Sequence, residues 1–340
     1  MEESTSQPQA HHAVRMQPRH GQQRPAPILP ILFALMALAT TAAQAQTPED
    51  AGQVRFTGPL VSSAPPLPKG LLNIEPYLIN TQTVAHYDTD GHRRDIDRAA
   101  DDWQIAVPIQ YGATDRLTLG ITLNAAYAQG LRSERHLATG DTRLSASWLL
   151  AHGTGRHQPK LTISARQNVS TGQHDRLELQ RVPGPTGSGT DSTTLALDSQ
   201  AYFLARSNLR GRAGIAWRLP GADAGLHGQS SYGTHAGFKG NAELGDGMVA
   251  NVGAEYSINS HWVLASDVVY EYEDTTRVRG QDELGAVDVT LPSSWRLSVA
   301  PAAEYHWSDN AGVIFGALVS LDGRNSAAIV SPQVAVNLVF

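Results

Sequence analysis

The side chains of this 340-residue chain that could do chemistry fall into two sets. The first combines histidine with serine and aspartate: His152 and His157, His174 with Asp175, and Ser230, Ser231 and His235. Nucleophilic catalysis needs a nucleophile, a base and an orienting group that converge, and no spacing here brings them together. These residues sit in polar stretches, where histidine is ordinarily a solvated surface group. The glycine-containing run from Gly184 to Gly189 lacks the lysine of a phosphate loop, and there is no H-x-x-x-H pair or acidic calcium loop. Without cysteine, the chain has no thiolate metal site, thiol nucleophile or disulfide. No cofactor or metal is expected, and 26 basic against 32 acidic residues leave no footprint for nucleic acid.

The second set is ionic. Arg143, Arg166, Arg206, Arg212 and Arg218, with Asp198 among them, are followed by Glu255, Asp267, Glu271, Glu273 and Glu304, with Arg296 as the one base; Glu75 stands apart near the start. Each occupies the polar parity of a stretch whose other parity is apolar. Such groups cannot act covalently, but held on one surface they create a field or pair with one another.

The elements that carry them are strands. Leu117, Leu119, Ile121, Leu123, Ala125 and Tyr127 alternate with Thr118, Gly120, Thr122, Asn124 and Ala126, and Trp103, Ile105, Val107, Ile109 and Tyr111 repeat the rule. Successive side chains on a strand point to opposite faces, so one face is apolar and the other small or polar. From Gly70 to Phe340 there are about twelve such segments of roughly 10 to 15 residues, longer than the five or six of soluble strands and long enough to cross a bilayer at a tilt. The connections split into short ones, around 113–116, 152–159, 207–210, 258–261 and 308–310, and long polar ones, at 88–100, 129–141, 171–191, 221–245 and 275–292. Only the last of the second series, near 322–325, is short. An even strand number, loops split by length and aromatic residues near strand ends predict an all-β fold: a transmembrane antiparallel up-and-down β-barrel of about 12 strands with a short N-terminal extended arm. A soluble β-sandwich, the competing architecture, gives no reason for that split.

Before the barrel come two other segments. Residues 1–45 read as a cleaved secretory signal peptide, with Arg15, Arg19 and Arg24 before an apolar run from Ile28 to Ala39 and an A-x-A site at Ala43–Ala45; translation starts at Met1 or Met16. Residues 46–69 carry Pro59, Pro65, Pro66 and Pro68 and read as a Pro-rich periplasmic arm or plug. Residues 70–340 form the barrel, placed in the bacterial outer membrane in contact with its lipid. The terminal Phe340, preceded by apolar 338, 336 and 334, is similar to the signal read by the barrel-insertion machinery.

Three stretches carry a family likeness. Lys69 through Tyr77 (KGLLNIEPY), Tyr111 through Leu117 (YGATDRL) and Gly140 through Leu144 (GDTRL) resemble the meta-pathway phenol-degradation outer-membrane protein family, as do Gly253 through Ser257 and Asp267 through Tyr270. The resemblance covers residues 68–340. It implies a barrel that moves small aromatic or other hydrophobic compounds, and supplies no catalytic residues.

With the apolar parity facing lipid, the ionic set faces the lumen. Strands four to seven of the series then carry a basic wall and strands eight to ten an acidic one, expected to face each other across the interior. Two readings follow: a transverse field in an open pore, or charges that pair and plug the lumen, because a barrel of this size is narrow enough for arginine to cross. Arg206 and Arg212 are expected at the short-turn rim, and Arg166, Arg218, Asp267 and Glu271 at the constriction. The function expected is passive uptake of a small-molecule solute; the alternatives are an adhesin or receptor, a plugged structural barrel, or a barrel lipid hydrolase.

Overall fold

The computed structural model describes residues 66–129, 135–151, 158–177, 185–203 and 208–340. Residues 1–45, read above as a signal peptide, and most of the 46–69 segment, like Arg206, His152 and His157, lie outside the described residues. The chain forms β1 (Leu72–Ile74), β2 (Tyr77–Tyr87), β3 (Arg93–Gly112), β4 (Leu117–Gln129), β5 (Arg135–Thr139) and β6 (Thr142–Ala151). It continues through β7 (Lys160–Val169), β8 (Ser192–Tyr202), β9 (Leu209–Pro220), β10 (Ala224–His227), β11 (Lys239–Glu243) and β12 (Gly247–Ser257). The last six are β13 (Trp262–Glu273), β14 (Thr276–Asp282), β15 (Gly285–Leu291), β16 (Ser294–Ser308), β17 (Ala311–Arg324) and β18 (Ser326–Val339).

Twelve of these close a barrel in the order β2-β3-β4-β6-β7-β8-β9-β12-β13-β16-β17-β18, with β18 hydrogen-bonded back to β2 and every pair antiparallel. In lipid, unpaired backbone groups have no water to turn to, so the sheet must close. β1 continues the strand of β2: Ile74 pairs with Leu338 and Ile109, and Tyr77 with Ala335 and Ala106, in one register. The interruption falls at Glu75 and Pro76, where Pro76 and the facing Pro108 lack amide donors; the Glu75 amide still reaches the Pro108 carbonyl at 3.0 Å.

The two faces divide as the alternation requires. Leu119, Leu123, Leu144, Trp148, Ile163, Leu195 and Leu264 stay 43–50% exposed on the outside, a band no soluble protein leaves bare. Rings flank it. Trp262 lies against Tyr305 with centroids 4.8 Å apart near the short-turn end, and Tyr270 stacks on Trp295 at 6.0 Å near the long-loop end. Such aromatic girdles mark the two interfaces of a membrane.

Four expected long loops are structured differently. β3 begins at Arg93, so the segment 88–100 is a tight turn over 88–92 followed by strand; Asp88 Oδ1 accepts the Asp90 and His92 amides at 3.0 and 2.8 Å, which lets two long strands continue beyond the others. The 129–141 connection contains β5, which doubles back on β4. Segments 221–245 and 275–292 combine into a separate four-stranded sheet, β10-β11-β14-β15, with its own apolar core of Ala224, Leu226, Phe238, Ala242 and Val278. Four short strands with a buried phenylalanine form a cap where sequence alone suggested polar loops.

Candidate functional site: the charged lumen

Cross-strand register fixes which side chains share the interior. One row runs Ser145, Arg166, Thr194, Arg218, Gly247, Glu273; another runs Lys160, Gln200, Arg212, Gly253, Asp267, Ala300. β9 and β12 are neighbours, so the last arginines of the basic wall stand beside the first carboxylates of the acidic wall. The expected opposition of two arcs therefore fails at this seam. Charges pair laterally along the wall instead of facing each other across open lumen.

The pairs use glycine to reach across a strand. Arg212 on β9 and Asp267 on β13 flank Gly253 of β12, and a Cβ at Gly253 would sit 1.8 Å from Asp267 Oδ1. Through that gap Arg212 Nη2 reaches the two Asp267 oxygens at 3.2 and 3.3 Å. Its other terminal nitrogen lies 2.6 Å from Glu255 Oε1, while Arg210 Nε donates to Glu255 Oε2 at 2.7 Å. Gly247 does the same for Arg218 and Glu273. Arg296 grips Glu271 with Nε at 2.9 Å and Nη2 at 2.7 Å, and Asp198 lies against Gly214 opposite Asn251.

Burial separates the lumen into two levels. Toward the short-turn end, Arg212, Arg210, Glu255, Asp267 and Glu304 are all under 10% exposed. Beside them His306 Nε2 lies 3.2 Å from Glu304, and Glu75 accepts hydrogen bonds from Tyr77, Asn73 and Asn337. On β4 and β7 Thr118, Thr162 and Ser164 are buried as well. Toward the long-loop end, Arg143 is exposed and the side chains of Arg218, Glu271, Glu273 and Arg296 keep 27%, 33%, 55% and 21% of their surface. Arg166 is intermediate. A water-accessible vestibule thus leads down to a buried ionic floor.

Arg212, expected at the rim, is a central member of that floor, and Arg218, expected at mid-barrel, stands in the vestibule with Arg166. Asp267 is at the floor, while Glu271 lies above it. Arg210, which sequence reasoning took for part of a turn, completes the cluster; the strand begins at Leu209, earlier than the alternation indicated.

The vestibule has a roof on its β6 side. Asp141, at the head of β6, has the same parity as Arg143 and so faces inward. Its Oδ1 accepts the Gly172 amide at 2.9 Å; its Oδ2 accepts the Ser188 amide and hydroxyl, both at 2.9 Å, and Asn168 Nδ2 at 3.0 Å. Both ends of the described part of loop 171–190 are therefore tied to a lumen-facing carboxylate. Gly187 makes the approach possible, since a Cβ there would lie 2.5 Å from Asp141 Oδ1. The Tyr232 hydroxyl of the cap then donates to the Ser188 carbonyl. Burial pushes that phenol up to about 12, so it keeps its proton and remains a donor.

At the other end Leu67 N donates to Thr118 Oγ1 at 2.7 Å, which sets the last residues of the arm against the lumen face of β4. Of the histidine, serine and aspartate candidates, His174, Asp175, Ser230 and His235 make contacts within and to the cap. His174 Nε2 meets the Gly225 carbonyl at 2.8 Å, Asp175 binds His227, Ser230 bonds Thr234 and His235 pairs with Asp282. Among the described residues one group has metal-ligand spacing, Asp88, Asp90 and His92, with ligand atoms within 4.8 Å. Asp88 already serves two amides and Arg94, as in an ordinary polar turn.

A closed sheet with a lipid-facing apolar band, aromatic girdles and a charged interior defines a transmembrane β-barrel. Among solved structures it is similar to the COG4313 outer membrane channel from Pseudomonas putida F1, with a TM-score of 0.62 and 14% identity over 87% of this chain and 100% of that one. The Pseudomonas putida toluene transporter TodX gives 0.40 at 11% identity (80% and 89% covered), and the KdgM porin 0.40 at 9% (78% and 98%). No family model and no curated protein matches the sequence. The fold is that of outer-membrane channel barrels.

Proposed function

We propose that this chain is an outer-membrane channel for passive uptake of small organic solutes. The observation that carries this reading is the layered lumen, with a water-accessible vestibule above a floor of buried ion pairs. Buried ion pairs are seldom more stabilising than well-packed apolar side chains, so stability alone gives little reason to fill a barrel with Arg210, Arg212, Glu255 and Asp267. A polar gate that small solutes pass gives one. Aromatic compounds enter through the resemblance to the phenol-degradation outer-membrane family.

In this reading residues 1–45 are removed on export, and residues 46–69 form an arm leading to the periplasmic mouth, supported by the Leu67–Thr118 contact. Phe340, 65% exposed, is offered to the insertion machinery. The cap sheet supports a second reading, a receptor or adhesin, because a surface with its own apolar core suits recognition. Uptake separates the two. Cells carrying the gene are expected to accumulate labelled toluene or phenol faster than a deletion strain; equal rates would remove the aromatic role and favour the receptor.

A further inference from the structure

Guanidinium keeps its charge at any ordinary pH, but one carboxylate of the lumen floor is held by a group that does not. Glu304 on β16 is 2% exposed, and among the described residues it accepts one hydrogen bond, at Oε2 from His306 Nε2, 3.2 Å away. Its Oε1 is buried and has no hydrogen-bond partner. In register, Glu304 is flanked by the buried, apolar Val263 of β13 and Ile314 of β17, and the equally buried His306 lies beside Gly312 of β17. Around the pair, β12 contributes Glu255 and β9 contributes Arg210, both electrostatic neighbours of Glu304; Arg210 Nε already serves Glu255 Oε2 at 2.7 Å. β8 adds Tyr202, close to Arg210, and β13 carries Asp267, held by Arg212. From the β12–β13 turn, His261 Nδ1 meets the His306 carbonyl at 2.7 Å. β18 brings Asn337, the register partner of Gly312, whose amide donates to Glu75 beside Tyr77. The proton on His306 thus sets the charge of the pair. With it the pair is neutral as a whole; without it Glu304 is a buried anion near Glu255, a costly arrangement unless water reaches it.

We propose that Glu304 and His306 form a proton switch in the lumen floor. While His306 is an imidazolium it holds Glu304 against the wall and the floor is tight. As pH rises the proton passes to the lumen water, Glu304 draws water in after it, and the floor loosens. A wider pore at high pH rests on the channel reading, whereas the loosening of the floor does not require conduction.

Bilayer recording in potassium chloride and urea unfolding of the detergent-solubilised protein are run from about pH 5 to 8, the range in which histidine ordinarily changes charge. In the wild type, conductance should rise roughly twofold or more across that range, with a growing preference for potassium over chloride. The urea midpoint should fall over the same range, because a proton bound by the folded pair takes its stabilisation with it when it leaves. Two variants should flatten both profiles in opposite senses. Glu304→Gln, neutral throughout, should stay at the low conductance of the acid wild type. His306→Gln leaves Glu304 without its cation and should show the high conductance of the alkaline wild type at every pH; if it does not fold, Glu304→Gln alone decides. A wild type whose conductance and midpoint do not move, or variants that keep the wild-type profile, would overturn the switch. A silent barrel whose midpoint falls with pH only when both residues are present contradicts the channel and supports the switch, whereas steady current with a flat midpoint does the reverse.

Discussion

Arg212 holds the centre of the lumen floor because it touches both Glu255 and Asp267. Truncation to Ala takes from Asp267 its arginine and leaves Glu255 with Arg210 alone, and losing one partner of a buried ion pair costs about 3–5 kcal/mol. In urea titrations of the folded barrel, Arg212→Ala should lose stability of that order, with part regained in Arg212→Ala/Asp267→Asn; a loss below about 1 kcal/mol would mean the cluster is not the packed unit described. In the cap, the Asp288 carboxyl is held below its ordinary value of 3.8 by its hydrogen bond to Arg277 and by that charge. A depressed carboxyl stabilises the folded form above pH 3.8 and loses that contribution as pH falls through the lowered value. Amide protection factors in the β14–β15 hairpin, with the intrinsic pH dependence of exchange divided out, should therefore hold steady from pH 7 to about 4 and fall below it, and Asp288→Asn should abolish the change. Alternation alone identifies the lumen parity of Arg212, Glu255 and Asp267. Their depth is another matter, because it depends on where each strand starts and on glycines such as Gly253 that let arginine reach two strands away.

At the scale of elements, strands are legible where one face is apolar, since lipid enforces strict period-two alternation. The cap is less legible. β10, β11, β14 and β15 are short, and their shared core comes from segments over 30 residues apart in sequence, so no local window contains the pattern. The two described ends of loop 171–190, residues 171–177 and 185–190, are equally silent: their anchoring depends on Asp141, a residue that by itself reads as part of a turn. That carboxylate is the latch. Asp141→Ala removes three hydrogen bonds from the loop, those of the Gly172 amide and of the Ser188 amide and hydroxyl, while leaving the barrel strands intact. Limited proteolysis should then cut within 171–190 at least several-fold faster, with Tyr232→Phe a milder version; unchanged cleavage would show the loop to be held by the cap alone.

The whole molecule is a wall whose outer face is set by lipid and whose inner face is free to be ionic. Closure, strand number and the lipid face follow from alternation and strand length. The open or filled state of the lumen does not, because the same residues can oppose across water or pair along the wall, and only the β9–β12 seam decides. Here they pair at the floor and stay hydrated in the vestibule. The direct test is single-channel recording in planar bilayers with the wild type and the charge-balanced Arg212→Ala/Asp267→Asn variant, which shrinks the floor without leaving an unpaired charge. Discrete steps are predicted for the wild type and larger ones for the variant. A silent wild type and a silent variant would contradict the channel and leave a sealed barrel that only displays its cap.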